Sequence, residues 1–288
     1  MPLVTNDADA TVAFIGAGPG DPELLTVKAQ RLICQADVII YADSLIPPEI
    51  CVGARPDAVI YQSATLTLEE TTVLICAAAE RGQHVARLQS GDPSVYGALH
   101  EQLVMLDRHG ITYYIVPGVS SVFAAAALLG VELTVPDIAQ TIIFTRFAGR
   151  VAMPEGEDLR SLASHTATLA IFLSIARVHQ VVEELLAGGY SPDTPAVVVY
   201  RATWPDQRII CATLATLTHE VRQAGLTRQS LIIVGKALAP DIRSEQTDEH
   251  RSHLYLPTYT HLFRRSSDPT SSIIASGVAD AHESAHDD

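Results

Sequence analysis

Phe14-Ile15-Gly16-Ala17-Gly18-Pro19-Gly20-Asp21-Pro22 is the stretch whose reading decides the fold. It follows an apolar run, 11–16, with the pattern of a strand, and it opens a helical pattern over 22–35. A glycine-rich turn between strand and helix lets a ligand approach the backbone closely. Asp21 can cap the helix, with Pro22 at its first position. The rival reading is a dinucleotide fingerprint, G-x-G-x-x-G. Gly16 and Gly18 supply its first two glycines and Asp43 superficially fits its ribose-binding acid. Asp21, however, occupies the third glycine position, where a carboxylate repels a pyrophosphate. A purely structural turn explains Gly16 and Gly18. It does not explain a Gly/Pro/Asp run at the C-terminal end of a strand, where open α/β sheets bind ligands.

Outward from this turn, strands are expected over 37–41, 84–88 and 112–116, and helices over 67–81 and 95–109. Thr67 with Glu70 three residues on is a capping box. The alternation predicts an α/β fold with a mostly parallel N-terminal sheet over 11–116. Val116-Pro117-Gly118 breaks the pattern, and a small-residue helix follows over 120–129. Strands over 141–145, 168–173, 196–200, 207–211 and 230–234, with helices over 175–187 and 217–224, form a second unit, 117–238. Its consecutive strands without intervening helices predict a mixed sheet. The remainder, 239–288, is rich in Ser, Asp, His and Thr and reads as a disordered tail in which only 254–263 is apolar enough to dock.

Two more loops sit where the first does, after a strand and before a helix. In Ser90-Gly91-Asp92-Pro93, Gly91 permits close backbone approach, and Asp92 can cap a helix or receive the amine of an amino-acid-like ligand. In Pro117-Gly118-Val119-Ser120-Ser121, two hydroxyls at a helix start can cap it or bind a carboxylate, and the N–H groups there favour anions.

In these three segments together the chain resembles the tetrapyrrole methylase family, from about residue 11 to 238. The stretches 41–45, 97–102, 140–146, 157–163 and 199–206 resemble the branch that methylates precorrin-4, metal-free or cobalt-loaded, at C11. Where that branch carries Gly within Tyr-Ala-Gly-Ser-Leu, this chain has Asp43. The resemblance implies a two-domain tetrapyrrole methylase-like fold, a homodimer, and S-adenosyl-L-methionine held between the domains, with S-adenosyl-L-homocysteine as product. Carried over by position, the cofactor contacts are Pro19, Ser90, Gly91, Asp92, Val95, Ser120, Ser121, Leu173, Tyr200 and Ala202. Ordinary core packing competes as an explanation of Val95 and Leu173.

A tetrapyrrole carries many carboxylates, and arginine grips a carboxylate with two parallel hydrogen bonds. Lys28, Arg146, Arg150 and Arg177 are the candidate partners, with Arg201 and Arg208 behind them. Asp43 and Ser44 join the substrate candidates, and 147–149 reads as a mobile loop. No Ser-His-Asp or Cys-His pattern is present, and the sulfonium chemistry requires no protein nucleophile. A sibling methylase acting at another ring carbon, a nicotinamide-dependent dehydrogenase and a non-catalytic tetrapyrrole carrier are the alternatives.

Composition bounds the rest. Of 288 residues, 48% are hydrophobic and 18% charged, which supports a filled core. Mean hydropathy is positive at +0.20, but the longest apolar run ends at Glu132, short of the roughly 20 residues a bilayer needs. Residues 1–7 have no signal-peptide pattern, and a cytoplasmic location is expected. The formal net charge of −14 argues against nucleic acid as a partner. The 4 cysteines form no Cys-x-x-Cys pair and read as buried, reduced thiols. Five of the 11 histidines fall in the tail without tight ligand spacing, so no metal site is expected.

Overall fold

The first half forms five parallel strands, four of them at the apolar runs: β1 (Val12–Gly16), β2 (Val38–Tyr41), β3 (Val59–Gln62), β4 (Val85–Gln89) and β5 (Tyr113–Val116). They lie in the order β3-β2-β4-β1-β5 in a computed structural model that describes residues 10–149, 151–239, 252, 259–260 and 262–265. Successive residues of a strand point to opposite faces. Ala13 and Ile15 therefore join Ile39 and Leu88 in a core under α1 (Val27–Gln35). Val12 and Phe14 join Val38 and Ile40 against α2 (Leu68–Glu80) and α3 (Leu99–Arg108). β1, β2, β4 and β5 are covered on both faces, which is why they read as continuous apolar runs.

The second sheet has the order β6-β7-β10-β8-β9. Its strands are β6 (Ile142–Arg146), β7 (Thr168–Phe172), β8 (Pro195–Tyr200), β9 (Arg208–Thr213) and β10 (Ser230–Val234). β6 and β7 are parallel and the other pairings antiparallel, so the sheet is mixed as expected. One face packs on α5 (Leu159–Ala163), α6 (Val178–Ala187) and α7 (Leu214–Gln223). The other packs on the small-residue helix α4 (Ser121–Leu129).

Several local expectations needed correction. The helix over 22–35 is two pieces. Asp21 caps a 3-10 turn, Pro22–Leu24, the chain then extends through Leu25, and Thr26 caps α1 by accepting from Ala29 N–H at 3.1 Å. α3 begins at Leu99, because Tyr96 and Ala98 take left-handed backbone, φ 54° and 50°. β3 and α5 went unread in the sequence. β3 is a four-residue edge strand with exposed side chains, lacking the alternation that marks a half-buried strand. The thiols are unpaired but not fully buried, and Cys211, on edge strand β9, is exposed. The Thr67–Glu70 capping box is formed in both directions. Among the described residues no helix is long and apolar enough to cross a membrane. Most of the tail, including six of the ten residues 254–263, lies outside the described residues, as does Arg150.

Candidate active site

The strand order sets where a ligand can enter. β1 and β4 are neighbours, yet β1 leads to α1 on one face and β4 leads to α3 on the other. The connections part there, leaving a crevice beyond the carboxyl ends of the two strands. The glycine-rich loop after β1 and the 90–98 loop after β4 flank that crevice. They pair with each other as an isolated bridge, Gly18 N–H to Gly91 O at 3.2 Å and Gly91 N–H to Gly18 O at 2.8 Å.

The third loop, after β5, closes on the same point. A side chain on Gly118 would stand 2.2 Å from Gly91 O and 2.7 Å from Gly16 Cα, and one on Gly16 would stand 2.4 Å from Gly118 N. Asp92 fastens this crossing: one carboxylate oxygen accepts from Gly118 N–H at 2.9 Å, the other from Ser94 N–H at 2.9 Å and from the Ser94 hydroxyl. Burial raises the Asp92 carboxyl, but these hydrogen bonds outweigh it and hold the group below its ordinary value. Asp92 is therefore an ionised loop clamp, as well as a surface of the cleft.

The second sheet supplies the opposite wall. Trp204 Nε1 donates to Pro19 O at 3.0 Å, and Asp21 N–H donates to Thr203 Oγ1 at 2.9 Å. The indole occupies the space a Gly20 side chain would need, its Cδ1 being 2.3 Å from that position. On the other flank Gln229 Nε2 donates to Ser44 O, while Arg201 Nε donates to Gln229 Oε1 at 2.8 Å. Arg201 is further braced by Asp206 at 2.8 Å and by the Trp204 ring at 4.7 Å.

Between these walls lies a cavity of about 510 Å³, in the range of small-molecule sites. Of the ten candidate cofactor positions, Pro19, Ser90, Gly91, Asp92, Val95, Ser120, Ser121, Leu173 and Ala202 line it. Tyr200 does not: strand alternation turns it to the far face of β8, under the Arg208 guanidinium at 5.0 Å. Leu173 is no core residue. With φ 55° and 76% exposure, it projects from the end of β7.

The substrate candidates divide. Ser44 lines the cavity. Asp43 instead accepts from Ala64 N–H at 3.2 Å and ties its loop to the one after β3. Lys28 sits over the Tyr114 ring at 5.2 Å, outside the cavity lining. Arg146 donates to the carbonyls of Val151 and Ala152, and Arg177 to that of Ala148. Arg177 braces the 147–149 loop that reads as mobile, and Arg146 the stretch just beyond it. Arg228, exposed on the cavity wall, was not among the candidates, and neither were Tyr96, Trp204 and Gln229. Trp204 left one signal: it is the single tryptophan of the chain, within a stretch matching the branch pattern.

The fold and this cleft define a class: a two-sheet α/β protein with a small-molecule site built on three crossing loops. Residues 11–218 match the family of Tetrapyrrole (Corrin/Porphyrin) Methylases, and the chain belongs to that family. A precorrin-4 C(11)-methyltransferase of Pseudomonas aeruginosa is 50% identical over 250 residues, 86% of this chain and 99% of that protein. The X-ray structure of a cobalamin biosynthetic enzyme, cobalt precorrin-4 methyltransferase, superposes with a TM-score of 0.79 at 45% identity, covering 83% of this chain and 100% of that one. A uroporphyrin-III C-methyl transferase from Thermus thermophilus, solved with S-adenyl homocysteine, gives 0.65 at 32% identity, covering 80% and 99%.

Gly118→Ala pushes a methyl into the loop crossing and should cost about 1–3 kcal/mol, read from urea unfolding. The folded Asp92 carboxyl lies below its unfolded value of about 3.9, so its stabilisation is in force above that pH and lost as pH falls through the folded value. Urea midpoints followed from about pH 6 to about pH 3 should therefore fall less steeply for Asp92→Asn than for the parent protein.

Proposed function

We propose that this chain transfers a methyl group from S-adenosyl-L-methionine to C11 of precorrin-4, metal-free or cobalt-loaded, in cobalamin biosynthesis. The observation that carries the cofactor reading is the convergence of three glycine loops and the ends of β7 and β8 on one cavity. Its residues fit the molecule. The Ser120 and Ser121 hydroxyls, at the start of the nine-residue α4, suit an α-carboxylate. Asp92, ionised and with acceptor capacity remaining after three hydrogen bonds, suits an ammonium. Val95, Phe172, Leu173 and Ala202 give apolar surface for a nucleoside.

The bound donor supplies an electrophilic methyl on a sulfonium that is its own leaving group. The new C–C bond forms as the S–C bond breaks, S-adenosyl-L-homocysteine leaves, and the ring surrenders a proton. The protein's part is alignment of the two reactants and exclusion of water, which can account for much of such a rate. Asp21 serves as cap to a 3-10 turn and Trp204 packs at Gly20, so the β1 loop offers no pyrophosphate cradle, which disfavours the nicotinamide alternative.

The sequence division into units 11–116 and 117–238 suits this reading, because α4 packs with the second sheet and the cleft runs between the two units. A cytoplasmic homodimer, with a small-molecule substrate and no nucleic acid, completes the proposal.

Purified protein, incubated with methyl-labelled S-adenosyl-L-methionine and precorrin-4 in metal-free and cobalt-loaded forms, should give one added methyl by mass spectrometry, located at C11 by carbon NMR. A methyl at another ring carbon would transfer the reading to a sibling enzyme. No transfer to either form would sink it.

A further inference from the structure

Arg87 stands in the middle of β4, on the face toward α3, and among the described residues no carboxylate pairs with it. Its guanidinium is held by neutral acceptors alone: Nε donates to Gln102 Oε1 at 2.9 Å, and one Nη donates to Ser63 Oγ at 3.0 Å and to Ile40 O at 3.3 Å. Ser63 and Gln102 are themselves buried, at 8% and 6% exposure. Burial lowers the Arg87 value to about 10, so the group is still a cation at neutral pH. A half-buried cation without an anion is costly, and an apolar side chain would fill the same space more cheaply.

The three acceptors belong to the supports of both cleft loops. Ile40 is the last residue but one of β2, which runs into the loop bearing Ser44 and Leu45. Ser63 opens the loop after β3. Its N–H donates to Tyr41 O at 2.8 Å, and the next residue's N–H is the one Asp43 receives. Gln102 completes the other branch: having accepted from Arg87, it donates through Nε2 to Ala98 O at 2.8 Å. Ala98 ends the loop that carries Asp92, Val95 and Tyr96, and it holds a left-handed φ of 50° beside Tyr96 at 54°.

We infer that Arg87 is a positioning residue: one half-buried guanidinium sets the Ser44–Leu45 loop through Ile40 and Ser63 and the 91–98 loop through Gln102, fixing the cleft in the shape that receives the methyl donor. The inference rests on the cofactor reading of the cleft.

Gln102→Glu separates this from core filling. A glutamate still accepts from Arg87, now as an ion pair, but it has no donor for Ala98 O. Arg87→Lys keeps the charge but loses the planar fork that reaches three acceptors. Binding of S-adenosyl-L-homocysteine is read by calorimetry and by the fluorescence of Trp204, which lines the cavity. The parent protein should bind. Both variants should bind several-fold to about tenfold more weakly, the scale of one lost hydrogen bond, with Gln102→Glu keeping the parental melting temperature. Binding by Gln102→Glu equal to the parent's would overturn the inference. So would weakened binding matched in both variants by a fall in melting temperature, which would make Arg87 a core residue only. A parent protein that binds no S-adenosyl-L-homocysteine would overturn the cofactor reading itself, and the inference with it.

Discussion

Three strand-to-helix loops meet backbone against backbone at Gly16, Gly91 and Gly118, and everything else about the cleft follows from that contact. The separations leave no room for a β-carbon at Gly16 or Gly118. The contact draws the C-terminal ends of β1, β4 and β5 together, points the Ser90–Tyr96 and Ser120–Ser121 segments into one cavity, and seats Asp92 where it can bond across from one loop to another. A parallel sheet with helices on both faces always leaves a crevice at such a switch point. Here the glycines bring main chain into it, so that peptide groups as well as side chains can meet a ligand.

The second sheet is held over that crevice by a few specific ties. Trp204 fills the hollow over Gly20 and bonds Pro19, Thr203 bonds Asp21, and Gln229 bonds Ser44. Backbone strain is concentrated at the same place. Of the eight non-glycine residues with positive φ among the described residues, Tyr96, Leu173, Arg201 and Gln229 line the cavity. Left-handed backbone at such residues is maintained only where the surroundings enforce it, and it clusters at binding sites. Here it turns Leu173 off the end of its strand into the cleft and aims Gln229 across it. The arginines do more bracing than binding: Arg146 and Arg177 grip the carbonyls of one loop, Arg201 is committed to Gln229 and Asp206, and Arg87 lies beneath the floor.

Those features with a local cause were legible in the sequence. Apolar runs with covered faces gave the strands, Thr67 and Glu70 the start of α2, and the three Gly-containing loops the cavity wall. What went unread depended on contacts far along the chain. Tyr200 and Ala202 are two residues apart in a stretch that matches the family, but sheet alternation followed by a left-handed Arg201 sends only Ala202 to the cleft. Lys28 and Arg177 are plausible carboxylate partners as residue types, and only their neighbours, the Tyr114 ring and the Ala148 carbonyl, show them occupied elsewhere. Trp204 had no local reason to be singled out, because its role is a hollow created by a glycine 184 positions earlier. Asp43, which departs from the branch pattern, proves to tie two loops together.

The claim on which the account rests is that the donor lies in the cleft between the two sheets, and a crystal structure of the protein with S-adenosyl-L-homocysteine tests it most directly. The account predicts the ligand against Gly91, with its amino-acid end near Asp92 and Ser120 and its nucleoside between Leu173 and Ala202. The ligand bound elsewhere, or in the cleft but out of reach of these residues, would contradict it.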